Sequence, residues 1–300
     1  MSTTQPVNDT ATRPSAPRYS DSAGRRRIDK TATAGLYLIL AAVIAVLAWV
    51  LIYVASQGAQ AISLSFLTDT PPGAPSTAGG GFANGIVGSL IIVGIATVIS
   101  VPIGMGTAIY LHEYATSRSG NVVRFLSDVL VGIPTIVTGA FIYILWVTHF
   151  GFSGYAGAIA LAIVMLPLVV RSTEEMLRLV AVDVREASWA LGITRSRTIW
   201  SIVLPSARSG ITTGVMLAVA RAMGETAPLL LTALGNDLFM ETHPGNRMST
   251  LSMQIFGNAI TGYQTAQARA WAGALTLIAI VLVLTILARL LGRRGVTHSS

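Results

Sequence analysis

Apolar residues gather into six long runs, at roughly 34–56, 84–110, 122–147, 155–170, 209–234 and 270–291, with polar stretches between them. Most runs reach the ~20 residues that a helix needs to cross a bilayer, and the run at 155–170 is the short one. The pattern predicts an all-α, polytopic membrane protein with six transmembrane helices. Residues 1–33 have no apolar periodicity and are rich in Ser, Thr and Pro, so a disordered tail is expected there. The transmembrane domain then occupies 34–294, and 295–300 form a short C-terminal tail.

Prolines and glycines punctuate the runs. Pro102, Gly104 and Gly106 predict a kinked end to the second helix. GIPTIVTG at 132–139 puts a proline and two glycines at mid-membrane depth. Carbonyls freed there need a neighbouring group or a water-lined path. The outer connector 57–83, with PPGAPSTAGGG at its heart, reads as turns without a chemical motif.

Composition agrees with the pattern: 52% of residues are hydrophobic, 11% are charged, and the mean hydropathy is +0.66. These values exclude an ordinary soluble domain. The chain has no cysteine, so disulfides and thiolate metal sites are excluded. The net charge of +7 invites a nucleic-acid partner, but its distribution argues against one. Of the 20 basic residues, all but Arg221, Arg247 and Arg269 lie in four regions: the N-terminal tail, the loop near Arg118 and Arg124, the 171–208 loop, or the C-terminal end. With six crossings these four regions share one side, which the positive-inside rule makes cytoplasmic. Both termini and the 171–208 loop are therefore expected in the cytosol.

Three short matches lead nowhere. GRRRIDKT at 24–31 is one residue from a phosphate-binding Walker loop, but Asp29 replaces the glycine that must wrap the phosphate. Ala59-Gln60-Ala61 mimics a signal-peptidase site after a tail and apolar run too long for a cleaved signal. His112-Glu113 is not a zinc motif, because position 116 is Thr116.

The 171–208 loop is chemically distinctive. Within DVREASWALGITR at 183–195, Val184, Ala187 and Leu191 fall at i, i+3 and i+7, so a short amphipathic helix is expected, ended by Gly192. Pro205 is expected to break or cap whatever helix precedes it. The order Glu186, Ala187, Ser188, then Gly192, Ile202, Leu204 and Pro205 resembles the EAA loop of ABC importer permeases. Ser188 stands where that family usually has a second alanine; both are small, so close packing is preserved. The resemblance implies a coupling helix seated in a groove of a separate ATPase subunit, made by these seven residues.

The fifth run carries the candidate chemistry. Gly210, Gly214, Ala218 and Ala222 recur every fourth residue and would let another helix approach closely. Arg221 and Glu225 are also four apart, so they share a face and can pair. Pro228 cannot donate to the carbonyl of Gly224, which loosens the helix beside the charges. A guanidinium fork suits a phosphate-type oxyanion, and Glu225 would hold the fork until substrate competes for it. The alternative is a structural ion pair that fixes helix packing. Asp128, one turn before GIPTIVTG, is a candidate secondary gate or an interfacial charge.

ARAMGETAPLLLTALG at 220–235, VPIGMGTAIYLHEYA, GIPTIVTG and LPLVVRSTEEML at 166–177 together are similar to the phosphate-specific ABC permeases. GETAPLL looks like their PstA-type subunit rather than the PstC-type sister. The similarity spans roughly 79–294. It implies the six-helix, MetI-like fold of a type I importer half, in a bacterial plasma membrane. The implied partners are a homologous PstC-type permease, two copies of a PstB-type ATPase and an extracytoplasmic PstS-type phosphate-binding protein. ATP and Mg would reside on the ATPase, leaving this chain without a cofactor and without enzymatic activity of its own. Arg221 and Glu225, with Thr226 beside them, match the family's intramembrane motif, which implies a role in phosphate passage. An importer of molybdate, sulphate or phosphonate is the near alternative. A secondary phosphate carrier would have no use for the EAA loop, and a membrane enzyme would need a second catalytic group facing Glu225. The outer stretch 235–269, with Asp237, Glu241, His243 and Arg247, is read as a solvated connector or a contact for the binding protein.

Overall fold

A computed structural model describes residues 23–293, with side chains from 28 to 290 apart from Ser117. Residues 1–22 of the expected tail and the C-terminal tail at 295–300 lie outside the described residues. Helix α1 (Ala23–Gly58) begins ten residues before the expected tail boundary at 33. Nothing from Arg25 to Ala34 is a strong helix breaker, so the apolar run propagates its helix backwards into charged sequence. Among the described residues, those up to Tyr53 fall in one compact unit and those from Val54 onward in a second. Within the first, the apolar side chains from Leu36 to Tyr53 are exposed, as lipid contact requires.

In the second unit, α2 (Leu64–Thr68) is a short outer turn capped by Ser63, whose hydroxyl accepts from the Phe66 amide at 3.1 Å. Helix α3 (Ala83–Ile109) runs through Pro102 and closes in a π turn, Tyr110–Tyr114. Helices α4 (Ser117–Gly132) and α5 (Thr135–Ile142) follow. A π turn, Tyr143–Val147, and the single turn α6 (Thr148–Phe150) complete that segment. Helix α7 (Gly154–Arg178) precedes the short α8 (Val182–Ala190) and α9 (Arg195–Thr198). A π turn, Ile199–Val203, leads into α10 (Leu204–Gly224), then α11 (Ala227–Thr232), α12 (Leu251–Ala259) and α13 (Gln264–Arg293). Among the described residues there is no strand, only an isolated bridge between Leu234 and Met248.

Among the described residues five helices are long and apolar enough to cross a membrane, and six spans result if the pair Arg118–Gly132 and Thr135–Phe150, bent by 98°, counts as one. The third apolar run is thus two helices rather than one. Ile133 is held extended by the proline that follows it, and Pro134 is extended too, so neither continues the helix. The fourth run is not short: α7 has 25 residues, because the polar stretch after Val170 stays helical. Pro205 neither breaks nor ends its helix. It lies in the first turn of α10, where a proline's missing amide is tolerated, and the preceding π turn joins α9 to α10 in one span.

Helices α3, α7, α10 and α11 build the main core, with Ile92, Ala96, Leu161, Met165, Val169, Ala218, Ala222 and Leu229 at its centre. The small-residue stripe of α10 finds its neighbour in α7. A Cβ on Gly214 would collide with the Ser172 side chain, and one on Gly210 with Met176. Ser172 and Met176 are four apart, so one helix's ridge lies on the other's groove.

Candidate functional site

Helix α10 stops at Gly224, and Glu225 takes an extended conformation (φ −72°, ψ 132°) before α11 begins at Ala227. Pro228 sits in the first turn of α11, the position where its missing amide costs least. The expected loosening is therefore a full break, with Glu225 and Thr226 as its linker. Ser252 of α12 donates its hydroxyl to the Glu225 carbonyl at 2.8 Å, which satisfies one acceptor that the break exposes.

Arg221 and Glu225 pair across this break, Nε to Oε1 at 3.5 Å. The Arg221 side chain is 53% exposed and that of Glu225 16%. The pair is long and one-sided, so the guanidinium keeps most of its donors free. Arg221 faces a small cleft lined by Leu130, Ile133, Thr135 and Thr138 of the bent segment and by Val164, Pro167 and Leu168 of α7. The two broken spans meet directly: a Cβ on Gly139 would stand 2.6 Å from the Pro228 Cα. GIPTIVTG and GETAP, whose prolines Pro134 and Pro228 are 94 positions apart, are thus one structural site.

Asp128 is salt-bridged to Arg171 of α7, whose Nε donates to its Oδ1 at 3.2 Å. Beside it, Glu174 accepts from Arg124 Nε at 2.9 Å and from Arg178 at 2.7 Å. These five residues line an open polar cavity with Leu111, Ser127, Val170 and Glu175. Only Asp128 of this ladder is a candidate from the sequence. The i,i+4 spacing of Glu174 and Arg178 was the available signal for the rest.

The 171–208 loop contains the short helix that the spacing predicts, closed at Gly192. Ser188 is 3% exposed and hydrogen-bonds Thr198 at 2.7 Å, and Arg185 also faces inward. Val184, Ala187 and Leu191, with Glu186, are exposed. Leu204 packs inward with Leu177, Ile199, Val203 and Ile211, Ile202 is half-buried, and Pro205 is exposed. Gly192 has φ +76° and its amide donates to the Trp189 carbonyl at 2.9 Å, closing α8 with a left-handed turn that other residues resist. Ser188 and Leu204 therefore hold the loop in shape, while the apolar face of α8 is left without a partner.

A family model for the binding-protein-dependent transport system inner membrane component matches residues 100–295. The phosphate transport system permease protein PstA of Yersinia pestis is 45% identical over 248 residues, 82% of this chain and 83% of that one. PstA 1 of Mycobacterium tuberculosis is 39% identical over 274 residues, 89% of this chain and 90% of that one. The chain belongs to the PstA family of ABC transporter permeases. Solved structures support the fold independently. A chain of a bacterial alginate ABC transporter aligns with TM-score 0.62 at 14% identity, covering 89% of this chain and 96% of that one. A chain of the inward-facing MetNI methionine ABC transporter gives 0.54 at 18%, covering 71% and 93%.

In this PstA-family chain the stretch 235–269 is not a simple connector. Helix α12 is buried along one side, and Gln254 donates to Asn84 at 2.9 Å and to Asp237 at 2.8 Å. Asn84 in turn donates to the Asn236 carbonyl at 2.7 Å. Glu241 stays in solvent, where the His243 amide and the Asn246 side chain hold its carboxyl below the usual range. Arg247 stacks 5.4 Å over the Phe152 ring. Helix α13 starts at Gln264, six residues before the last apolar run, and buries Arg269. That guanidinium donates to the carbonyls of Pro75, Thr77 and Gly79, fastening the proline-rich connector.

Proposed function

We propose that this chain is the permease subunit through which inorganic phosphate enters a bacterial cytoplasm. It would work with a homologous second permease, two cytoplasmic ATPase subunits that bind ATP and Mg, and an extracytoplasmic phosphate-binding protein. The observation that carries the reading is the Arg221–Glu225 pair at the meeting of two broken spans. An arginine at bilayer depth costs roughly 2.5–3.5 kcal/mol on insertion scales, so its retention calls for a polar path or a partner. Glu225 holds it at 3.5 Å without capturing its fork, and the half-exposed guanidinium is open to an oxyanion.

The cycle follows alternating access. The ATPase subunits would close on ATP and draw on α8 through its exposed Glu186 and apolar face. Because α9, the π turn and α10 are one span, that pull reaches Arg221, Glu225 and Thr226 and opens them outward. Hydrolysis resets the site inward, where phosphate leaves past Asp128 and Arg171. Both termini and the 171–208 loop are assigned to the cytoplasm by their arginines.

The test is uptake of radiolabelled phosphate at low external concentration in cells lacking other phosphate carriers. The intact gene should restore uptake, with unlabelled sulphate and molybdate failing to compete. Arg221→Ala and Glu225→Gln should abolish uptake while the complex still assembles. Normal transport by either variant would remove the site assignment, and competition by molybdate would turn the substrate to another oxyanion.

A further inference from the structure

The end of α3 carries a carboxylate that the passage of an anion does not use. Glu113, in the π turn after α3, is 6% exposed. Its cationic partner belongs to a different element: Arg185 of α8, whose Nη2 lies 3.4 Å from Glu113 Oε1. The same nitrogen donates to the Leu177 carbonyl at the end of α7, at 2.8 Å. The other arm of the loop makes a parallel contact. Arg195 of α9 donates to the Glu113 backbone carbonyl and sets its guanidinium 5.0 Å from the centre of the Tyr114 ring. The two short helices that flank Gly192 are thus each tied by an arginine to the π turn that follows α3.

A carboxylate shielded from water is kept only with a partner, and removing that partner strands the charge. Here a substitute is scarce. Glu113 Oε1 and Arg185 Nε are buried without a hydrogen bond, and the remaining neighbour is His112, its Nδ1 3.2 Å from the same Oε1. Adjacent positions of α8 divide in direction: Arg185 points inward to α3, and Glu186 points out to solvent. Helix α3 in turn packs along α7 and touches α10, the helix that carries Arg221.

We infer that Glu113 is a positioning residue for transport, which through Arg185 ties α8 to α3 so that displacement of α8 moves the membrane core. It rests on the reading of the 171–208 loop as the ATPase-docking element. Without the tie, α8 would move with the ATPase while α3 stayed in place, and ATP would be hydrolysed without transport. The quantity that reports the tie is phosphate taken up per ATP hydrolysed.

The experiment uses the complete complex in vesicles, with its ATPase and phosphate-loaded binding protein. Glu113→Gln and Arg185→Gln should each lower uptake per ATP roughly 10-fold, within the range of ordinary coupling free energies. The ATPase should still co-purify, and hydrolysis should persist. The double variant should be no worse than either single one, because both remove one interaction. Glu113→Asp, which keeps the charge, should recover part of the ratio. If Glu113→Gln fails to fold, Arg185→Gln on the short α8 carries the same reading. An unchanged ratio in the single variants, or losses that multiply in the double one, overturns the inference. Leu191→Asp on the exposed face of α8 separates the two claims. If it leaves the ATPase bound, the docking reading fails. If it releases the ATPase while Glu113→Gln couples normally, only the tie fails.

Discussion

Gly139 shows how one residue sets the closeness of the two broken spans. Its missing side chain lets the Pro228 backbone of α11 approach α5 closely. Gly139→Val should destabilise the protein by about 1–3 kcal/mol, as overpacking does in tight cores, and should lower uptake with it. Gly94, which has no heavy atom within 4 Å of an added Cβ, is the control. Gly94→Ala should leave the thermal unfolding midpoint in detergent unchanged or slightly raised, and an equal loss in both variants would refute the packing argument. At this scale Arg221 and Glu225 were legible in the sequence, because charge is conspicuous in an apolar run and their spacing of four implies a shared face. Ser252 was not. A serine at the start of a short outer helix carries no mark of the carbonyl it will serve.

At the scale of elements, breaks matter more than helices. Pro134 and Pro228 interrupt two spans, and the backbone groups they expose are met by neighbours: the Glu225 carbonyl by Ser252, and the Pro134 carbonyl by the Val137 amide at 2.9 Å. Ser252→Ala should cost about 1 kcal/mol, the usual worth of a hydrogen bond lost at one partner, with a larger effect on uptake than on yield. Pro134→Ala restores an amide and permits α4 and α5 to join. It should impair uptake while the protein still inserts, checked by transport assays on membranes with matched expression. Normal uptake would mean that the bend is not needed. Such breaks are announced by proline, but their geometry is not. The 98° turn depends on α5 finding α11 as a surface to lie on. The same limit explains α12. Its residues LSMQIFGNA are too few and too polar to read as a membrane element, and they become helical and buried because α3 and α13 supply walls and partners.

For the whole molecule, the arrangement of arginines predicts an inside and an outside. A chain without cysteine is convenient for testing this, since each introduced thiol is the sole target. Gly262→Cys, in the exposed turn before α13, should react with a membrane-impermeant maleimide added to intact cells. Ser196→Cys, exposed on α9, should react only after the membrane is opened. The reverse labelling would invert the topology. The exposed apolar face of α8 also belongs to this scale. Val184, Trp189 and Leu191 face solvent in the single chain, an apolar patch of the kind that marks an interaction surface.

By itself the sequence determined the class of fold, the apolar runs, the position of the intramembrane charges and the short helix ended by Gly192. Each of these is a local property: a run length, a residue spacing, or a residue whose backbone range is unusual. Tertiary structure decided what those pieces touch. It turned the α8 face outward, set Ser188 and Leu204 inward, joined GIPTIVTG to GETAP, and placed Glu113 against Arg185 across 72 positions of chain. The physical reason is that a buried polar group takes whichever partner the packing of distant helices brings within reach. Spacing along one helix is silent about that choice.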